Sequence, residues 1–505
     1  MSLLSLRFLA FLLILLLTYY LLPKRWQWVV LLCANIAFYL SAGVKYVGFL
    51  VVTAVTAWHA AMLVEKTNEK FKQLRKGCST KEEKQANKAE CAKQKKKIMT
   101  CVMIFNFGLW AVLKYLLHAS VLGISFYTFI AMGYCIDVYR GKYPAEKRFD
   151  RFLLFVSFFP QMVQGPFSRY DKMKDTLLEE HPFSFDRLGA GILRMLWGFF
   201  KKMVIADRLG TVTAAIYAGE IAHGGIYVPV LMAAVTLQLY ADFSGYMDIV
   251  CGICQMLGIR LQENFRQPLF SCSVEEVWRR WHITLGAWFR DYVFYAVSMS
   301  KWAQNLGKKC REKLGPATAR MIPSYLALVA VWTATGLWHG ASWCFLLWGW
   351  MNLIIIVGSM QLQPVYAKIR EKLHIKENSR AFAVFQMLRT FCIFGFMEMV
   401  SDAGNIASAV SVCRSFFTVF NWGLIKHPLS LFLGLEAVDV IVVLIGLGLM
   451  LFVDVMKEKG CSVHAVLGKI PIPVRYLGYA VIFYGIILLG NTGADLTGGF
   501  MYAQF

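Results

Sequence analysis

Two histidines lie in apolar sequence, each beside a tryptophan. His339 follows Trp338 in the segment GLWHGASW, and His282 follows Trp281 at the end of the segment WRRWH. A titratable side chain at membrane depth is costly to keep and is by default a functional candidate. A neutral imidazole, with an ordinary pKa of about 6.5, can take a proton from a hydroxyl group and return it to a leaving group. The two histidines therefore predict acid–base chemistry in a bilayer, such as acyl transfer to an alcohol, with structural hydrogen bonding as the alternative.

The composition is that of a polytopic membrane protein. Of the 505 residues, 58% are hydrophobic and only 17% are charged. Apolar runs of about 20 residues, the length that crosses a hydrocarbon core as a helix, recur along the chain. We predict an all-α integral membrane protein with roughly 11 to 13 transmembrane or re-entrant helices. The candidate segments are 3–22, 26–44, 46–64, 98–117, 121–138, 149–165, 188–206, 226–256, 281–299, 322–360 as a broken pair, 381–400, 430–453 and 475–491.

Three of these segments, 121–138, 149–165 and 281–299, are expected to be buried or re-entrant rather than full crossings. The clearest case is the stretch PQMVQGP that begins at Pro160, because two prolines and a glycine interrupt a helix. Backbone groups released in this way must be buried in protein or line a cavity.

Basic residues predict how the chain is oriented in the membrane. The formal net charge is +22, and residues 65–97 alone hold 12 Lys/Arg against 5 Glu. Short basic loops mark the cytoplasmic side, so 65–97 is expected to be a cytosolic and partly helical segment. Counting spans from it places the N- and C-termini outside the cytoplasm. A nucleic-acid partner is not expected, because Phe71 is the only aromatic residue interleaved with this charge.

Other polar residues have two interpretations each. Asp242 and Asp248 interrupt an apolar run, where they either make structural hydrogen bonds or line a reaction channel. Arg279 and Arg280 either bind phosphates of a cytosolic acyl donor or anchor a span end. Cys251 and Cys254, spaced CxxC, are expected to pack as small apolar side chains, since no second Cys/His pair lies at zinc-site spacing. We predict no metal site.

Five motifs lie in a fixed order along the middle of the chain: DFSGYMD at 242–248, ENFRQP at 263–268, WRRWHITL at 278–285, WFRDY at 288–292 and GLWHGASW at 336–343. Together they resemble the bacterial membrane-bound O-acyltransferases (MBOAT). The subgroup resembled is the alginate O-acetyltransferase type, related to the teichoic-acid D-alanyl transfer proteins. One departure is FGFME at 394–398, where alginate-type members carry a tryptophan–phenylalanine–arginine pattern, and this leaves the acceptor polymer open.

The resemblance implies a ring of helices with a cytosolic tunnel and an extracellular funnel. An acyl group, acetyl in this subgroup, would pass from a cytosolic thioester, either acetyl-CoA or an acyl carrier protein, to an extracytoplasmic acceptor, with no bound cofactor. His339 matches the catalytic histidine of the family and His282 its second active-site histidine. We expect the donor channel to be lined by Asp242, Asn264, Arg279, Arg280, Trp281 and Trp338.

The C-terminal ending also matches this subgroup, and it makes Tyr502 a candidate acyl carrier on the outer face. Implied partners are an extracytoplasmic SGNH-type O-acetyltransferase or acceptor protein, and membrane lipid. The protein is expected in a bacterial plasma membrane. The chain is therefore expected to have five parts. Residues 1–64 form the N-terminal spans, 65–97 the basic cytosolic loop, 98–360 the catalytic core, 361–491 the C-terminal spans and 492–505 the extracytoplasmic tail. The rival functions are D-alanyl transfer to teichoic acid and non-enzymatic transport.

Overall fold

The computed structural model describes residues 2–119, 121–219, 224–461 and 470–490. Regular structure in these ranges is helical, apart from one isolated bridge between Phe265 and Trp281. The first ten α-helices are α1 Leu6–Leu21, α2 Gln27–Leu40, α3 Val44–Lys76, α4 Lys81–Ala111, α5 Ile124–Arg140, α6 Phe149–Ser157, α7 Tyr170–Leu178, α8 Phe185–Phe199, α9 Asp207–Ala218 and α10 Tyr227–Leu257. The others are α11 Val274–Arg280, α12 Ile283–Phe289, α13 Tyr295–Ser298, α14 Lys301–Lys309, α15 Arg311–His339, α16 Trp343–Gln361, α17 Gln363–Lys372, α18 Arg380–Asp402, α19 Ile406–Thr418, α20 Ala437–Glu458 and α21 Ile472–Leu489.

Seven helices in the described ranges are long and apolar enough to cross a membrane: α3, α4 with its short extension to Leu116, α10, α15, α16, α18 and α20. Shorter apolar helices are α1, α19 and α21. The length of about 20 apolar residues that a crossing needs is therefore reached repeatedly. The prediction of an all-α, multi-pass membrane protein is confirmed.

The described chain divides into two compact units. The first comprises 2–192 and 250–262 and contains the helix hairpin of α3 and α4, against which α5 packs. The basic segment 65–97 continues both hairpin helices beyond their apolar parts, and α4 begins with a capping box formed by Thr80 and Glu83. Most side chains of this segment are exposed, as expected for a solvated, partly helical region.

The interruption predicted near Pro160 lies in the first unit. Helix α6 ends at Ser157, and a single 3₁₀ turn follows at Phe159–Gln161. Asn35 from α2 stabilises this end, because its side-chain carbonyl accepts from the Phe159 N–H at 3.1 Å and its amide donates to the Ser157 hydroxyl at 3.2 Å. Segment 149–165 is thus buried and broken rather than a continuous span.

The second unit comprises 193–249 and 263–490, where described, and its central feature is the hairpin of α15 and α16. Two glycines allow the two helices to approach closely. A Cβ atom on Gly336 would lie 2.7 Å from the Phe345 carbonyl oxygen, and one on Gly349 would lie 2.5 Å from that of Trp332. The predicted broken pair at 322–360 is this hairpin, and its turn follows His339 directly.

Segment 281–299 is helical from Ile283 to Ser298, because α12, a π-helical turn at Arg290–Phe294 and α13 follow one another without a break. Sixteen helical residues rise about 24 Å, which is less than the hydrocarbon thickness of about 30 Å. The segment is therefore short for a full crossing.

Candidate active site

His339 is the last residue of α15, at the turn into α16. The residue is only 7% exposed. Its imidazole packs among three aromatic rings, with centroid separations of 4.8 Å to Trp338, 4.9 Å to Trp348 and 5.9 Å to Phe345. The hairpin turn therefore holds this imidazole in an apolar, aromatic setting.

His282 connects α11 to α12 in a left-handed backbone conformation, with φ 45° and ψ 47°. For a residue other than glycine this conformation costs about 1–2 kcal/mol, so the surrounding structure must impose it. Two interactions flank the histidine: Trp281 bridges antiparallel to Phe265, and the Ile283 N–H donates to the Asn264 carbonyl at 3.1 Å. The strand-like segment at 264–265 thus holds the histidine from both sides.

The side chain of Asn264 completes this arrangement. It is fully buried, and its Oδ1 accepts from both the N–H and the hydroxyl of Thr284, at 3.0 and 2.6 Å. Its amide donates to the Met247 sulfur at 3.5 Å. Because Thr284 lies in the first turn of α12, Asn264 fixes the start of the helix that follows His282.

The imidazole of His282 is buried at 3% exposure. It packs edge-on against Phe243, with ring centroids 4.8 Å apart, and lies 6.0 Å from the indole of Trp338. Burial, and secondarily the neighbouring His339, lower the pKa of His282 well below its usual value. The ring is therefore neutral near pH 7.

Buried hydrogen bonds orient the aromatic rings around His339. The Trp348 indole N–H donates to Glu398 Oε1 at 2.9 Å, and the Trp278 indole N–H donates to Asn352 Oδ1 at 2.8 Å. Asn352 in turn donates to the Trp348 carbonyl at 3.0 Å. Buried polar groups need such partners, and here the partners also fix the direction of each ring.

A network of buried ion pairs lies beside Phe243 in the chain. Lys202 pairs with Asp242 at 2.7 Å, and Lys201 pairs with Asp248 at 2.6 Å. Both lysines belong to the π-helical segment that follows α8, and both aspartates belong to α10. The structural interpretation of the two aspartates accounts for their burial, since each carboxylate has a basic partner. The prediction that Asp242 lines a donor channel stays a prediction.

The two arginines of the WRRWH motif differ in exposure. Arg279 is largely exposed and pairs with Glu275 at 3.2 Å, one helical turn away. Arg280 is mostly buried and pairs with Glu276 and Glu458, each at 2.8 Å. Their assignment to donor phosphates stays a prediction.

Part of this site lies in a stretch of sequence that is similar to a known family. Residues 146–308 match the profile of MBOAT, the membrane-bound O-acyltransferase family, and this range includes His282 and its supporting segment. Over this range the chain is similar to the MBOAT family. It is 38% identical over 229 residues to the probable alginate O-acetylase AlgI of Azotobacter vinelandii, covering 45% of this chain and 42% of the relative. It is 31% identical over 323 residues to the protein of that name from Pseudomonas putida, covering 64% and 60%.

The chain thus matches less than two thirds of the length of either AlgI relative. Two further relatives carry other names. The peptidoglycan O-acetyltransferase of Helicobacter pylori is 26% identical, with 78% of this chain and 73% of the relative covered. The teichoic acid D-alanyltransferase of Bacillus subtilis is 28% identical, with coverages of 55% and 68%.

The structure brings together most of the residues that the sequence singled out. His282, His339 and Trp338 pack together, while Trp281 and Asn264 support the backbone at His282. Tyr502 and the rest of the tail lie outside the described residues. Among the residues that are described, no group of three or more His, Cys, Asp or Glu side chains could hold a metal ion.

Sequence reasoning missed several supporting residues: Thr284, Trp348, Glu398, Lys201 and Lys202. For the lysines a signal existed, because two adjacent cations within the apolar candidate segment 188–206 require buried anionic partners. Thr284 and Trp348 gave none, since neither residue type is unusual in its segment. Glu398 drew notice only as a departure from the family pattern, and its partner Trp348 is 50 residues away.

Proposed function

We propose that this protein is a membrane O-acyltransferase of a bacterial plasma membrane. It moves an acyl group, in the simplest case acetyl, from a cytosolic thioester across the membrane for O-acylation of a cell-envelope polysaccharide. The observation that carries the proposal is the packing of two buried histidines against one indole, that of Trp338, in a chain that is similar to the MBOAT family.

His339 is the general base in this proposal. Its imidazole accepts the proton of the acceptor hydroxyl while the hydroxyl oxygen attacks the thioester carbonyl carbon. The C–O bond forms, the C–S bond breaks, and the proton passes from the imidazolium to the leaving thiolate. His282, neutral because of its burial, either assists the proton transfer or positions the donor. The aromatic surroundings exclude water, which would otherwise hydrolyse the thioester.

The donor, acetyl-CoA or an acyl carrier protein, enters from the cytosolic side in this account. Asp242, Asn264, Arg279, Arg280, Trp281 and Trp338 are the residues proposed for its route. The support for Trp338 is its packing on both histidines, and for Asn264 its support of the His282 turn. The excess of basic residues in the short loops supports a cytosolic 65–97 and extracytoplasmic termini.

Delivery to the polymer is proposed to use the C-terminal tail. Tyr502 would carry the acyl group as an ester on the outer face, and an SGNH-type transferase or an acceptor protein would complete the transfer. The support is the sequence ending at 498–505, GGFMYAQF, together with the charge-derived topology.

Mass spectrometry of the purified full-length protein after incubation with acetyl-CoA tests the proposal. We expect an acetyl adduct of the C-terminal peptide in the wild type and none in His339→Ala or Tyr502→Phe. Unmodified Tyr502 with intact acetyl-CoA turnover would contradict the tyrosine carrier but retain the transferase. Absence of turnover with both acetyl-CoA and acetylated acyl carrier protein would contradict acetyl transfer.

A second candidate is D-alanyl transfer to teichoic acid. The similarity to the teichoic acid D-alanyltransferase of Bacillus subtilis, which is covered over 68% of its length, favours it. A D-alanyl thioester of a carrier protein would then be consumed where acetyl-CoA is not. Offering both donors to the same preparation separates the two candidates.

A further inference from the structure

A basic cleft in the first unit lies outside the histidine site. Its volume is about 450 Å³, and it is lined by Glu65 of α3, residues 143–148, Arg151, and Tyr170 and Lys174 of α7. This volume is within the range of roughly 300–1,000 Å³ typical of small-molecule sites.

Four cationic side chains line the cleft: Lys147, Arg148, Arg151 and Lys174. Lys147 and Arg148 are exposed, whereas Arg151 and Lys174 are half-buried. Arg148 pairs with Asp150 and lies over the ring of Trp28, and Lys174 has a long contact of 4.0 Å with the exposed Asp175.

The two acids of the cleft already have partners in the protein. Glu65 accepts from the Ala145 N–H, and Glu146 accepts from the Tyr170 hydroxyl and, at 2.9 Å, from the Arg148 N–H. Arg151 differs, because its Nε is buried and has no hydrogen-bond partner among the described residues. The cleft is therefore positively charged, and its acids serve to hold segment 143–151 in place.

The distribution of charged residues along α3 indicates how deep the cleft lies in the membrane. Residues 46–64 contain no Asp, Glu, Lys or Arg, and the basic segment 65–97 begins at the residue that lines the cleft, Glu65. The cleft thus lies where the helix leaves the hydrocarbon layer. Trp58 donates its indole N–H to the Glu146 carbonyl at 2.7 Å beside it, and tryptophan favours the headgroup level of a bilayer.

We propose that this cleft binds the phosphate headgroup of an anionic phospholipid, a site distinct in kind from the acyl-transfer site. Basic pockets between helices near the cytoplasmic surface recognise lipid phosphates, and arginine matches phosphate geometry through paired N–H groups. Arg151 and Lys174 contact the phosphate from the half-buried side of the cleft, and Lys147 contacts it from the exposed side. The lipid chains extend along the apolar part of α3.

The test is native mass spectrometry of the delipidated full-length protein in mild detergent, titrated separately with phosphatidylglycerol, phosphatidylcholine and coenzyme A. Three proteins are compared with the wild type: the double variant Lys147→Gln/Lys174→Gln, Arg151→Gln and Lys172→Gln. Lys172 is the matched control, because it lies on the same short helix as Lys174 but does not line the cleft.

We expect one phosphatidylglycerol molecule to bind the wild type and Lys172→Gln with equal affinity. It should bind the double variant and Arg151→Gln roughly tenfold more weakly. Phosphatidylcholine should bind all four proteins equally weakly. Equal phosphatidylglycerol binding by all four proteins would overturn the proposal. Binding of coenzyme A, but not of phosphatidylglycerol, that is lost in the same variants would show a site for a soluble phosphate and would also overturn it. No acyl transfer is measured, so the outcome is independent of the proposed function.

Discussion

The imidazoles of His282 and His339 pack against the same indole ring, with centroid separations from Trp338 of 6.0 and 4.8 Å. The two histidines are 57 residues apart in sequence and belong to different structural elements. Each is close enough for the charge of one to affect the other, since His339 lowers the pKa of His282. A single indole ring thus contacts both histidines of the proposed site.

Thr284 is predicted to matter through its hydrogen bond to Asn264. Thr284→Val removes the hydroxyl that donates at 2.6 Å but keeps the backbone N–H donor, whereas Thr284→Ser keeps both. One buried hydrogen bond is worth about 1 kcal/mol, so Thr284→Val should lower kcat about fivefold and leave the KM for the donor unchanged. Steady-state kinetics of both variants checks this, and a loss in Thr284→Ser equal to that in Thr284→Val would refute the role of the hydroxyl.

Glu398 is predicted to position His339 through Trp348. Glu398→Gln keeps an oxygen that can accept from the Trp348 indole N–H, whereas Glu398→Leu leaves that buried donor unpaired. An unsatisfied buried donor costs about 1–3 kcal/mol, so we expect kcat to fall roughly tenfold in Glu398→Leu and less than about twofold in Glu398→Gln.

Rates of donor turnover in the two Glu398 variants and in Trp348→Phe provide the measurement. Trp348→Phe keeps an aromatic ring against His339 but has no N–H. Adding Glu398→Leu to Trp348→Phe should therefore cause no further loss of kcat. A full additional loss in the double variant would mean that Glu398 acts independently of Trp348.

The buried ion pair of Lys202 and Asp242 is predicted to support the fold. Asp242→Leu removes the carboxylate that pairs with Lys202 at 2.7 Å and keeps Asp207, which pairs with the same lysine at 2.9 Å. Breaking a buried pair costs about 3 kcal/mol or more. Glu275→Leu is the control, because it removes an exposed partner of the exposed Arg279, and such pairs contribute about 1 kcal/mol or less. Thermal unfolding in detergent should therefore show a much larger drop in midpoint for Asp242→Leu, and equal drops would contradict the prediction.

Close approach in the α15–α16 hairpin is predicted to be essential for activity. Gly336→Ala places a Cβ atom 2.7 Å from the Phe345 carbonyl oxygen, a backbone atom that cannot move aside cheaply. The helices must separate, which moves His339 relative to Phe345 and Trp348. Gly358→Ala on α16 meets nothing within 4 Å and should behave as wild type. Acyl-transfer assays of the two variants, each verified to be folded, should show lost activity in Gly336→Ala and wild-type activity in Gly358→Ala.

Hydropathy and charge predicted the general fold because both act along the chain. Apolar runs of membrane-crossing length revealed α3, α15, α16 and α20, and the two prolines near Pro160 revealed the end of α6. Segment 281–299 shows the limit of this reasoning. Its apolar composition fits a span or a buried segment equally well, and only tertiary contacts such as the Phe265–Trp281 bridge set the point at which its helix begins.

The sequence revealed those site residues whose polar side chains are energetically unfavourable in apolar sequence. His282 and His339 were conspicuous because imidazoles are expensive in apolar sequence. Asn264 and Trp338 were named through the motifs that contain them. Thr284 and Glu398 act through hydrogen bonds to residues 20 and 50 positions away, and sequence spacing contains no information on such partners. The left-handed backbone at His282 was equally hidden, since glycine is the usual sign of that conformation.

The most direct test of the account is donor turnover by the full-length protein carrying His339→Ala, with His374→Ala as the control. His374 is an exposed histidine that follows α17, outside the proposed site. Both variants would be compared with the wild type using acetyl-CoA and, in parallel, acetylated acyl carrier protein. Loss of a general base costs about a hundredfold or more, so we expect that reduction in kcat for His339→Ala and none for His374→Ala. A folded His339→Ala protein that transfers acyl groups at the wild-type rate would contradict the assignment of His339 as the catalytic base.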